Sequence, residues 1–333
     1  METINNLIKD KKYTEAIKEC DINEFTNFAT LLRKISKIKV VDVEDGKIKV
    51  LLCCNWCSSA ELCKTWRKMS KNNDLSWGNI KIVSSEPCDY YCIINAPPQD
   101  VNFNTRKTIL LRMEPNMEKN EYMWKEWSNP KDEDFLYVGY HKNTLNTMEW
   151  HLSKTYQQLL NENIEKNNEL NNVLSSVLSD KYKDPGHIKR IDFVKFLEKK
   201  NMDVHVFGGN KFLWKNYKGS LPYHKKDDAL LPYKYTFNVE NFSIYNYCTE
   251  KLVDGILSEC LVFYSGCYNI KDYIDPKAFV YLELVDFEHD YQIIKKAIEE
   301  DWWKERLPFI KEAKRKIMEE YQFFPKLDKI LLS

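Results

Sequence analysis

Residues 233–266, YKYTFNVENFSIYNYCTEKLVDGILSECLVFYSG, read as a single βαβ unit. Tyr235, Phe237 and Val239 alternate as strand side chains do, and Thr249 suits a helix N-cap. Leu252, Val253, Ile256, Leu257 and Cys260 recur at helical spacing, and residues 261–264 form a second apolar strand. The polar residues Glu240, Asn241, Tyr247, Glu250 and Lys251 fall between the first strand's end and the helix's first turn. Open α/β sheets bind ligands at that edge, where free helix N–H groups favour phosphate. Lys251 can bring a mobile positive charge to a diphosphate, and Glu240 or Glu250 can accept hydrogen bonds from sugar hydroxyls. The position suits a nucleoside diphosphate sugar. A charged turn that merely caps and solubilises a helix is the alternative.

Upstream, residues 173–179 (VLSSVLS) read as the first strand of the same lobe, IKRIDFVKFLEKK as its helix and VHVFG as the next strand. Further upstream the same alternation recurs. KIKVLLCC is a buried-strand run, residues 59–69 are helix-like, and IKIVSS, YYCIINAP and residues 108–113 continue a largely parallel sheet. The expected fold is therefore α/β, with two Rossmann-like lobes and a cleft between them. Its parts are a helical appendage over residues 1–38, an acceptor-side lobe over 39–160, a donor lobe over 161–305 and a helical segment over 306–333 that packs back on the first lobe. One long amphipathic helix is expected over roughly residues 290–320.

Length and charge narrow the function. At 333 residues the chain can hold two cores, since single cores stop growing beyond about 250–300 residues. The 50 basic and 50 acidic side chains cancel, so no global field exists to hold nucleic acid. No apolar run reaches the roughly 18–20 residues of a membrane span, and the N-terminus is charged rather than signal-like. A soluble, cytoplasmic protein is expected. The 10 cysteines sit in apolar strand-like runs, as reduced core thiols do, and the Cys54–Cys57 spacing lacks a second ligand pair for zinc. The D-x-D at Asp132–Asp134 lies in a charged loop-like run and reads as solvated charge, so no metal is expected. No G-x-G-x-x-G follows a strand, which excludes a dehydrogenase reading.

Two further residues complete the expected site. Arg190, near the start of its helix, can chelate phosphate oxygens bidentately. Glu114 stands where an apolar strand stops at Pro115, at the sheet's C-terminal edge, and a half-desolvated carboxylate there has the raised pKa a general base needs. By itself a Glu before Pro is more often a turn residue. The aromatic residues Trp124, Trp127 and His141 follow and suit the apolar faces of an acceptor sugar, although most tryptophans are core packing.

The stretch 233–251 resembles the signature of the α-1,3-fucosyltransferases, inverting enzymes of the GT-B type that use GDP-fucose. The residues that carry the resemblance are Tyr233, Lys234, Tyr235, Glu240, Asn241, Tyr247, Thr249, Glu250 and Lys251. It extends through FYSGCYNIKDYIDPKAFVYLELVDF and back through Lys226 and Arg190. The resemblance implies that Arg190 and Lys251 contact the diphosphate, with Lys226 also on the donor side. It implies that Asn241, Tyr247 and Glu250 hold the fucose and ribose, that Glu240 supports the loop, and that Glu114 is the catalytic base. Val239 and Ala278 depart from the family's usual Phe and Ser. The implied reaction is a single inverting displacement onto a glycan hydroxyl, with GDP-fucose as donor and no cofactor required. Another GDP-, UDP- or dTDP-sugar on the same scaffold, or a non-catalytic glycan-binding protein, are the alternatives.

Overall fold

A computed structural model describes residues 46–98, 103–115 and 134–332; the expected helical appendage and the tryptophans at 124 and 127 lie outside them. The first lobe runs β1 (Ile48–Cys54), α1 (Ser59–Trp66), β2 (Ser76–Trp77), β3 (Ile80–Val83), β4 (Tyr90–Ile94), β5 (Thr108–Leu111) and β6 (Tyr137–Gly139). α2 (Tyr156–Asn161) lies on the way to the second lobe. That lobe is built from β7 (Leu174–Leu178), α3 (Pro185–Lys199), β8 (Val204–Gly208), β9 (Tyr217–Gly219), α4 (Asp227–Leu230), β10 (Tyr235–Val239), α5 (Glu250–Leu257), β11 (Leu261–Ser265) and β12 (Phe279–Tyr281). α6 (Phe287–Glu299), α7 (Trp302–Lys316) and α8 (Phe323–Leu332) end the chain.

Two six-stranded sheets result, ordered β2-β3-β1-β4-β5-β6 and β12-β11-β10-β7-β8-β9. Every pairing is parallel except the short β2–β3 ribbon. The apolar runs explain this, because a parallel sheet covered on both faces needs strands that are apolar at every position. β1 shows it residue by residue. Val50, Leu52 and Cys54 join the main core with Trp66, while Leu51 and Cys53 point the other way to Ile93, Leu110 and Val138. α1 starts where Ser58 and Glu61 form a reciprocal capping box.

The expected long helix over residues 290–320 is broken. Asp301 takes a left-handed conformation at φ 47° and separates α6 from α7. Its carboxylate is held by Lys234 at 3.2 Å and by the Tyr235 hydroxyl at 3.1 Å. Two side chains of the signature strand thus hold the bend that turns the C-terminal helices along the sheet. The chain then crosses back to the first lobe. Met148 bridges to Gln322, the Trp66 and Phe323 rings stand 4.7 Å apart, and Phe324 lies against Trp77. Phe323→Ala removes a fully buried ring at this contact and is expected to cost about 3–5 kcal/mol in urea unfolding. A loss below about 1 kcal/mol would show that α8 does not hold the first lobe.

Candidate functional site

The loop from β10 to α5 is built around one carboxylate. Glu240 is fully buried; it accepts from the Thr249 N–H at 2.7 Å, the Thr249 hydroxyl at 2.6 Å and the Tyr264 hydroxyl at 3.2 Å. Those bonds fold residues 241–248 back so that α5 starts directly over the strand end. Burial pushes the Glu240 carboxyl up, against the opposing pull of Lys251. Both of its oxygens face this internal network, so it organises the loop.

α3 reaches the same place from the other side. The Gly186 N–H donates to the Asn241 carbonyl at 3.0 Å, and a Cβ on Gly186 would stand 1.7 Å from the Glu240 carbonyl oxygen. Only glycine permits that approach. It puts the first turn of α3 beside the first turn of α5, and Arg190 comes with it. The Arg190 guanidinium is buried and donates to the Val239 carbonyl at 3.2 Å, to Asn241 Oδ1 at 3.3 Å and to Ser179 Oγ at 3.2 Å. Its Nε is buried without a partner.

Between these elements lies a cavity of about 260 Å³, lined by Ser179, Lys181, His187, Arg190, Asn241 and Lys226 among others. Glu250, Lys251 and Asp254 close it. Four permanent cations, Lys181, Arg190, Lys226 and Lys251, face two carboxylates there. Burial and the neighbouring Arg190 push His187 down to about 4, which keeps it neutral. Lys226 bonds Asp254 at 2.8 Å and lies 3.5 Å from Glu250; Lys251 lies 3.1 Å from Glu250. Burial alone would raise the Glu250 carboxyl, but Lys251 and Lys226 outweigh it and hold it well below the usual carboxylate range.

A second cavity, of about 880 Å³, opens beside the first and is walled by both lobes. Glu114 lines it with Trp56, Trp66, Glu149, His151 and Tyr223. Asn95, just after β4, sets the loop after β5 by accepting from the backbone N–H groups of Met113 and Glu114 at 2.8 and 3.2 Å. Glu114 itself is exposed, so desolvation of its carboxylate must come from a bound molecule rather than from the chain, contrary to the half-buried position expected. Tyr247 is buried where Glu114, Glu240 and Glu250 all act on it, and burial reinforced by these charges keeps the phenol protonated. His141 lines neither cavity; its carbonyl accepts from Asn246 Nδ2 at 2.9 Å.

Comparison with known proteins agrees with this geometry. Residues 165–299 match the model of the glycosyltransferase family 10 (fucosyltransferase) C-terminal domain. The matched stretch lies in the second lobe. Among solved structures, an α1,3-fucosyltransferase superposes with a TM-score of 0.51 at 15% identity, covering 86% of this chain and 95% of that one. An α-glucosyltransferase in complex with UDP and DNA superposes at 0.54 and 10% identity, covering 86% and 100%. No curated protein sequence matches the chain. The two-lobed arrangement is therefore of the GT-B type, and the stretch similar to the family 10 model lies in its second lobe. Among the described residues no helix is long and apolar enough to cross a membrane.

The second lobe brings Arg190, Lys226, Asn241, Glu250 and Lys251 to one cavity. Lys181, His187, Ser179 and Asp254 belong to it too and were not read from the sequence. Asp254 had a signal, since it lies four residues after Glu250 and so on the same helix face. It is buried, and besides Lys226 it accepts from the His151 N–H at 2.7 Å, which ties α5 to the interlobe stretch.

Because the Glu250 pKa is depressed in the folded chain, the stability it contributes is full above its unfolded value and is lost as pH falls through the folded one. Glu250→Gln is expected to cost about 1–3 kcal/mol near neutral pH in urea unfolding. The gap to wild type should close below the reference value of 4.5. A gap that stays constant into that range would mean the carboxylate is not held by these lysines.

Proposed function

We propose that the protein is an inverting glycosyltransferase that moves L-fucose from GDP-fucose to a hydroxyl of a glycan acceptor. The observation that carries this reading is the cation-rich cavity in the second lobe. Four lysine and arginine side chains converge beside two helix N-termini, as a departing nucleoside diphosphate requires.

In this scheme Arg190 and Lys251 bind the diphosphate and stabilise the negative charge that grows on it as the glycosidic bond breaks. Lys226, fixed by Asp254, adds to the same field. Asn241 and Glu250 contact the sugar and ribose, and Tyr247, buried within reach of Glu240 and Glu250, supports them from behind the cavity wall. Glu114 takes the proton of the acceptor hydroxyl as that oxygen attacks the anomeric carbon from the other lobe. The acceptor sugar lies in the larger cavity, where Trp56 and Tyr223 offer exposed aromatic faces. A carboxylate such as Glu250 offsets positive charge on an oxocarbenium-like transition state. The described cysteines are all free, which supports a reducing compartment such as the cytoplasm.

Thermal unfolding with GDP, GDP-fucose, UDP, UDP-N-acetylglucosamine and dTDP tests the donor. A nucleotide at about 100 times its Kd adds roughly 2.7 kcal/mol, and only GDP and GDP-fucose are expected to do so. Selective stabilisation by UDP would instead give the donor of a different sugar, and no response to any would leave a glycan-binding scaffold. Glu114→Gln is expected to lower transfer by about 10²–10⁴ while leaving GDP affinity unchanged, and Lys251→Ala to weaken GDP binding. Undiminished transfer by Glu114→Gln would move the base elsewhere.

A further inference from the structure

At the wall of the larger cavity, Glu149, His151 and His224 offer ligand atoms that all lie within 4.8 Å of one another. We propose that these three side chains hold a divalent transition-metal ion, zinc by preference, which pins the interlobe stretch to the loop after β9.

The donor set is two imidazoles and one carboxylate, the composition of a zinc site with an open fourth position. Ligands about 2.0–2.1 Å from a tetrahedral ion stand roughly 3.3 Å apart. His151 Nε2 and Glu149 Oε1 already stand 3.3 Å apart. His224 must close the remaining gap, and it sits in a loop rather than a packed element. Its Nδ1 is buried without a hydrogen-bond partner, and its ring stands 4.0 Å from that of His151.

The surroundings are built to orient these groups. Trp66 Nε1 donates to Glu149 Oε2 at 2.7 Å, leaving Oε1 turned to His151, which is the outer-shell support typical of metal ligands. Asp254 holds the His151 backbone at 2.7 Å, and the Lys226 N–H donates to the His151 carbonyl at 3.0 Å. The nearby cations are occupied elsewhere: Lys68 donates to the Leu152 carbonyl at 2.5 Å, and Lys226 is paired with Asp254. Trp66 comes from the first lobe, Glu149 and His151 from the stretch between lobes, and His224 from the second lobe. An ion at this point therefore joins three parts of the chain at the wall of the cleft and fixes its width, with an open coordination position facing the cavity.

The test uses the full chain stripped with a chelator and contains no sugar nucleotide, so its outcome is independent of the proposed transfer reaction. Zinc titration by calorimetry is expected to show one site per chain with a matching rise in Tm. His151→Ala and His224→Ala should each weaken zinc affinity by more than about 100-fold, Glu149→Gln comparably, and Trp66→Phe by about tenfold. Glu149→Gln keeps the side-chain volume and guards against a variant that merely fails to fold. Cobalt substitution should give visible d–d bands without thiolate charge transfer, and Cys57→Ser should bind zinc as tightly as wild type. No binding by wild type, or binding that Cys57→Ser removes and His224→Ala preserves, would overturn the proposal.

Discussion

The buried Glu240 carboxylate is the group on which the arrangement of the cleft depends. An ionisable side chain without solvent contact is tolerable only when its oxygens are satisfied, and here the N-terminus of α5, the Thr249 hydroxyl and Tyr264 satisfy them. The carboxylate thereby joins the end of β10 to the start of α5 and to β11. Because it consumes the Thr249 N–H, it also sets which helix N–H groups remain for a ligand. Lys251, two residues further on, lines the cavity.

The second constraint is close backbone contact. Gly186 lets α3 touch the strand end of β10, so Arg190 reaches the same cavity as Lys251 although the two belong to different βαβ units. Charge then spreads outward from this point through Lys226, Asp254 and His151 into the stretch between lobes. The two lobes are coupled electrostatically through the site itself, in addition to the apolar contact of α8 with α1 and β2. Ligand charge in the cavity and the position of the interlobe stretch are for that reason one problem, and an ion held by Glu149, His151 and His224 would act on the same joint.

Much of this was legible in the chain. Near-continuous apolar runs such as KVLLCC and LVFYS specify strands buried on both faces, and Thr249 before a helical apolar repeat specifies where α5 begins. Asn241, Glu250 and Lys251 were placed at one edge by the rule that ligands meet open sheets at their carboxyl ends, Arg190 by its place near a helix start and Lys226 by the family resemblance alone; all five line one cavity. His141 illustrates the opposite case. It follows β6 closely enough to suggest a cleft residue, but its environment depends on which way the loop turns, and that is decided by a local turn at Asn143 and by an Asn246 contact made across the molecule. The break at Asp301 was hidden for a similar reason: the local pattern is that of one helix, and the side chains that hold the left-handed residue's carboxylate, Lys234 and Tyr235, come from a distant part of the chain.

Periodicity and capping are local, so the sequence by itself determined the two α/β lobes, the order of most strands and helices, and the edge at which a ligand would bind. Tertiary structure alone decided which charges meet. The pairing of Lys226 with Asp254 and the meeting of His151 with His224 arise between residues far apart in the chain, and the exposure of Glu114 depends on how the lobes fold around it. Coulomb interactions and desolvation depend on distance in space and on the loss of water, and neither is encoded in spacing along a strand or helix.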